Sequence, residues 1–191
     1  VVDRPSPRVG LACGDGLPYV VLALGLLRAG ACVVPIASEL ARDERERIVR
    51  SLGLSALVVG PGFEAGAVAG DAKALDLSPH VGEPAAATVI ALQPAGVPLG
   101  FDESDFAASN PAFIRFSSGT TAESKGVLIS HETLLERVAT ANRTLRIGPG
   151  DRVVWILPMA HHFAVSMMLY LTHGAATVVV GGHLASEVLD A

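Results

Sequence analysis

Cysteine, aromatic residues and charge are all scarce in this chain of 191 residues. It holds 2 cysteines, 1 tryptophan and 2 tyrosines, and 17% of its residues are charged. Cys13 and Cys32 both lie in apolar stretches, which reads as two buried free thiols and not as the disulfide of an oxidising compartment. The Asn-Arg-Thr sequon at Asn142 is then incidental. No apolar run is long enough to span a bilayer, since "YVVLALGLLRAGACVVPI" is broken by Gly25, Arg28, Gly30 and Pro35. The opening "VVDRPSPRVG" has none of the features of a signal peptide. Net charge is −5 with no basic cluster, which argues against nucleic acid as a partner. No histidines are spaced with cysteine or carboxylate as a zinc site requires, so no metal ligand is expected. A hydrolase pairing of His131 with a serine has no Gly-x-Ser-x-Gly elbow to support it. These absences place the protein in the cytoplasm.

Hydrophobic residues, by contrast, make up 50% of the chain, and the mean hydropathy is +0.47. That is the composition of strands buried on both faces, as in a parallel sheet. The first sixty residues alternate accordingly. "RVGLAC", "ACVVPI" and "SALVV" read as strands. Between them "DGLPYVVLALGLLRAG" is a helix stopped by Gly30, and "SELARDERERIVRSLG" an exposed helix with Ser38 as candidate N-cap. Asp43–Arg47 and Glu46–Arg50 are spaced for i,i+4 pairs. Strands separated by helices in this way predict βαβ units. Residues 60–111, rich in Gly, Pro and Ala, read as a loop-rich connection with minor strands such as "ATVIAL".

Regular structure resumes with the strands "AFIRF" and "GVLIS". Ser130 then caps the helix "HETLLERVATANRTL", with Leu134, Leu135, Val138, Ala139 and Leu145 expected on its buried face. After the turn "GPGD" follow the strand "RVVWIL", the helix "HFAVSMMLYLTHG" and the strand "AATVVVG". The expected fold class is α/β, a largely parallel buried sheet flanked by helices, incomplete at its C-terminal edge.

Between "AFIRF" and "GVLIS" lies the polar stretch "FSSGTTAESKGV", Phe116 to Val127. Its hydroxyls, amides and lysine make a physically reasonable cradle for phosphate oxygens. A hairpin tip of small polar residues is the alternative reading. A Walker A loop is excluded. Counting from Gly119, Lys125 falls in place, but Ser124 stands where the second glycine belongs and Gly126 where the magnesium-binding hydroxyl belongs.

The stretch resembles the phosphate-binding signature of the adenylate-forming (AMP-binding) superfamily. That superfamily includes acyl-CoA and acyl-carrier-protein ligases, peptide-synthetase adenylation domains and luciferases. The match falls on Ser117, Ser118, Gly119, Thr120, Thr121, Lys125, Gly126, Val127, Ser130 and His131. Ala122 replaces a usual glycine and Ser124 a usual proline. "LRAGACVVPI", Leu27 to Ile36, and "LPMAHHF", Leu157 to Phe163, are similar to two further motifs of the superfamily in the same order. His161 falls on the motif histidine of the last one, and Ala160 on its usual aromatic.

The resemblance implies an enzyme that uses ATP and Mg2+ to turn a carboxylic acid into an acyl-adenylate, releasing pyrophosphate. The acyl group then passes to a thiol of CoA or of an acyl-carrier protein. It implies phosphate contacts from Ser117, Ser118, Thr120 and Thr121, close backbone approach at Gly119 and nearby charge from Lys125. It places His161 where acyl group and adenylate meet, with Ala160 leaving room for a bulkier acid. His80, His162, His173 and His183 read as structural. The superfamily's Tyr-Gly-x-Thr-Glu segment, ribose-binding aspartate and distant catalytic lysine do not occur in these residues. The whole of 1–191 is therefore expected to be the N-terminal part of such a domain, inactive alone, with the magnesium ligand, the catalytic lysine and a small lid domain elsewhere. The alternatives are a non-catalytic nucleotide- or acyl-binding module, or half of a split enzyme completed by a C-terminal chain. A different phosphotransferase is disfavoured by the failed Walker spacing.

Overall fold

The computed structural model describes residues 6–63, 71–83, 85–92, 102–116 and 126–180. The central sheet has seven strands in the order β4-β5-β3-β1-β2-β6-β7. These are β1 (Arg8–Ala12), β2 (Cys32–Pro35), β3 (Ala56–Val59), β4 (Asp71–Asp76), β5 (Ala86–Ala91), β6 (Pro111–Phe116) and β7 (Gly126–Ser130). The middle is parallel: β1 pairs with β2 and β3, and β2 with β6. The flanks are antiparallel, β5 on β3, β4 on β5 and β7 on β6.

Alternation along the central strands divides the core in two. Val9, Leu11 and Cys13 face one side with Val33 and Val58. Ala12 faces the other with Cys32, Val34, Leu57 and Val59. The first face is covered by α1 (Leu17–Arg28), α3 (Ser78–Val81) and α5 (His131–Leu145). The helical run α6 (Met159–His162), a π-helical turn (Phe163–Met167) and α7 (Met168–Thr172) completes that cover. The second face is covered by α2 (Arg42–Ser51), through Ile48, and α4 (Glu103–Ala108), through Phe106. Tyr19, Phe113 and Phe163 are the largest buried side chains of the first face, each contributing about 1.5–3 kcal/mol by burial. A separate parallel pair, β8 (Arg152–Trp155) and β9 (Ala176–Val179), follows.

The α/β reading with buried parallel strands therefore holds, and several local expectations are corrected. Helix α2 begins at Arg42, and Ser38 is not its cap. Instead the Ala41 amide donates to Glu44 Oε2 at 3.0 Å. Glu46 bridges both Arg42 and Arg50, whereas no bridge joins Asp43 to Arg47. On α5 only Leu134 and Val138 of the expected stripe are buried, and Leu135 and Leu145 are more than half exposed. Residues 60–111 hold more regular structure than their composition announces, namely β4, α3, β5 and α4. Helix α4 is tied down non-locally, by a bidentate pair from the buried Arg8 to Glu103 at 2.6 and 3.1 Å. Both cysteines are free and buried. The Asn142 amide is engaged on both sides by Ile147 at the end of α5.

Candidate functional site

Ser117, Ser118, Gly119, Thr120, Thr121 and Lys125 lie outside the described residues, as does His183. The structure does describe what brackets them. Strands β6 and β7 pair antiparallel, with Phe116 opposite Gly126, Arg115 opposite Val127 and Ile114 opposite Leu128. Strand β6 thus ends, and β7 begins, side by side at Phe116 and Gly126. The base of this hairpin is held by Asn110, whose side-chain amide donates to Glu132 at 2.6 Å and whose carbonyl accepts from the His131 amide at 3.0 Å. Ser130 caps α5 as its sequence predicts, accepting from the Thr133 amide at 3.1 Å. Gly126 packs tightly, since a Cβ there would lie 3.2 Å from Ile114.

The second motif comes to the same place. Pro158 ends the extended segment after β8, and its carbonyl accepts from the His161 and His162 amides, both at 3.1 Å. The start of α6 is fixed from the other end of the chain: the Met159 amide donates to Asp15 Oδ1 at 2.6 Å. The Gly16 amide lies 3.5 Å from Met159 Sδ. Met159 is fully buried, His162 half-buried and His161 exposed. Arg115, one residue before the end of β6, donates from its guanidinium to the His161 carbonyl. That bond joins the strand leading into residues 117–125 to the motif carrying His161.

Beneath Arg115, on the face it shares with Phe113, the Phe163 ring packs 5.4 Å from Tyr19 and 6.3 Å from Phe113. The Tyr19 hydroxyl is buried without a hydrogen-bond partner. Burial, then nearby Cys13 and Asp15, push its ionisation far above the ordinary range, opposed by Arg115. Burial, with Arg137 of α5 close by, lowers the pKa of Arg115 itself. His162 is also held below the usual histidine value, first by burial and then by Arg115 and His161. His173 is structural, its Nδ1 lying 2.9 Å from the Leu169 carbonyl in α7. Among the described residues no group of three or more His, Cys, Asp or Glu could hold a metal ion.

Sequence reasoning missed Asp15, Tyr19 and Arg115. A signal for Arg115 was present: a lone charge in an otherwise apolar strand, immediately before the polar stretch. Nothing local marked Asp15 or Tyr19, which tertiary packing brings there. The π turn after His162 was equally hidden.

The family model for the AMP-binding enzyme matches residues 3–190. The chain belongs to the AMP-binding enzyme family. Among curated relatives it is 29% identical over 182 residues to the anguibactin system regulator of Vibrio anguillarum, covering 95% of this chain and 16% of that protein. It is 30% identical over 173 residues to the phenyloxazoline synthase MbtB of Mycolicibacterium paratuberculosis, covering 90% and 13%. Its fold matches that of o-succinylbenzoate CoA synthetase from Bacillus subtilis with a TM-score of 0.69 and 17% identity, covering 98% of this chain and 46% of that one. This family member thus spans less than half the length of the proteins it matches.

Proposed function

We propose that this chain is the N-terminal, phosphate-binding part of a cytoplasmic enzyme that activates a carboxylic acid with ATP. The product is an acyl-adenylate, and the acyl group then passes to a thiol of CoA or of a carrier protein. One observation carries the reading. The strand that leads into residues 117–125 is bonded, through Arg115, to the carbonyl of His161, which supports assigning the two motifs to one site.

Attack of the carboxylate on the α-phosphorus leaves negative charge on the departing pyrophosphate. Ser117, Ser118, Thr120 and Thr121 hold its oxygens in this reading, Gly119 permits close backbone approach and Lys125 adds charge. His161 faces the acyl side, and Ala160 leaves space beside it for a bulky acid. The described residues offer no cluster for magnesium, and no step is assigned to it.

The test is acid-dependent exchange of pyrophosphate into ATP by the full-length protein. Lys125→Ala is expected to slow exchange on the order of 100-fold, the loss typical of one group that stabilises developing charge. Exchange unchanged by that substitution would remove the phosphate role of the segment.

A further inference from the structure

Beside this site two arginines, Arg115 and Arg137, have no carboxylate bridged to them among the described residues. The half-buried Arg115 reaches across from β6 to the His161 carbonyl, and its pKa is lowered first by burial and then by the charge of Arg137 on α5. Neither forms an ion pair with a carboxylate among the described residues, where the bridges involve Arg8, Arg42 and Arg50. A guanidinium carries five donors, and among the described residues one protein acceptor, the His161 carbonyl, is supplied to it. Placing it near a second arginine in partly desolvated surroundings costs free energy that no described residue offsets.

A second observation lies close by: Tyr19 packs on Phe163, two residues beyond the His161 carbonyl that Arg115 meets. The Tyr19 hydroxyl, within electrostatic reach of the Arg115 guanidinium, is fully buried and lacks a hydrogen-bond partner. Buried hydroxyls are ordinarily satisfied, and an ordered oxygen or a bridging water would satisfy this one. The aromatic floor of Phe113 and Phe163 keeps the surroundings apolar, which strengthens any charge–charge contact made there.

We propose that Arg115, backed by Arg137 and the Tyr19 hydroxyl, binds an oxyanion, either a carboxylate of the acid or a phosphoryl oxygen of the nucleotide. This rests on the adenylate-forming reading and adds to it a cationic subsite contributed by the strand ahead of the polar segment. Arg115 is then more than a staple for α6.

The test is titration calorimetry on the full-length protein with magnesium pyrophosphate, malonate and benzoate as probes. Arg115→Gln keeps a donor for the His161 carbonyl but removes the charge. It is expected to weaken at least one class of probe by about 10-fold or more, the scale of a lost charged hydrogen bond. Arg115→Lys is expected to recover part of that loss. Arg137→Gln, at an exposed position on α5, is expected to weaken the same probe by about 3-fold through charge alone. It also keeps the proposal testable if the Arg115 variants fail to fold. A loss confined to pyrophosphate assigns the phosphoryl source, and one confined to malonate and benzoate assigns the carboxylate source.

Unchanged affinity in the folded variants for every probe that the wild type binds would overturn the subsite while leaving the adenylate-forming reading intact. A wild type that binds none of the three probes would overturn the subsite, and the adenylate-forming reading would then rest on the pyrophosphate-exchange assay alone.

Discussion

Cys13 and Cys32 show how far burial alone can set the chemistry of a side chain. Burial pushes the Cys13 thiol up to about 12, with the Asp15 carboxylate adding to the effect. Cys32 is likewise pushed up to about 12 by burial, against a smaller opposing pull from Arg8. The folded state therefore holds both thiol protons more tightly than the unfolded chain, whose thiols ionise near 9.0. Their contribution to stability is complete below pH 9 and is lost as pH rises from there towards 12. The urea midpoint should fall between about pH 9 and pH 11, and fall less in Cys13→Ala. Parallel pH profiles for the two proteins would refute this assignment. The same burial predicts slow alkylation of both thiols in the native protein.

At the scale of elements, tight backbone approach and capping matter most. Gly60 follows β3, and its amide donates to the Ala12 carbonyl at 2.8 Å. A Cβ at Gly60 would fall on Cys13 Sγ, and also 2.9 Å from Cys13 Cβ and 3.0 Å from Leu22. Gly60→Ala is expected to cost about 1–3 kcal/mol in denaturant melts, as overpacking does. Ser130→Ala should cost about 1 kcal/mol through the lost cap of α5. A change below the error of the melt in either variant would contradict its packing role.

That cap was legible in sequence because its signal is local, as were the strands on either side of the polar stretch. Gly30, with φ of +79°, ends α1 for the same reason. Elements held by distant contacts were not legible. Strand β4 carries exposed side chains along its described positions and is defined by pairing with β5. Helix α4 has a local cap, Asp102 accepting from the Ser104 and Asp105 amides, but is also joined to Arg8, 95 residues away. On α5 the apolar residues outnumber the positions that meet the core, so periodicity overstated the buried stripe. The site divides along the same line. Its motif residues were named from a resemblance, and of them only His161 lies among the described residues, whereas Asp15 and Tyr19 come beside it through packing that no local pattern encodes, and Arg115 was marked only by its charge in an apolar strand.

For the whole molecule, the seven-stranded sheet and the β8–β9 pair differ in kind. The central strands are buried on both faces, whereas Val154, Ile156, Leu157 and Val179 around the small pair are each 37–42% exposed. Two strands alone are marginal in water, and stability in such a chain is not uniform. Hydrogen exchange on the isolated chain should be faster at Val153–Trp155 and Thr177–Val179 than at Val9–Leu11 and Val33–Val34. Equal protection would mean that the small pair is as stable as the main sheet by itself.

The adenylate formation proposed above is a claim about the whole molecule, because this family member spans less than half of the structure it matches. Exchange of labelled pyrophosphate into ATP by the full-length protein, across a panel of carboxylic acids, tests that claim most directly. The account requires exchange that depends on one class of acid and is slowed by Lys125→Ala. A folded full-length protein that catalyses no exchange with any acid would contradict it.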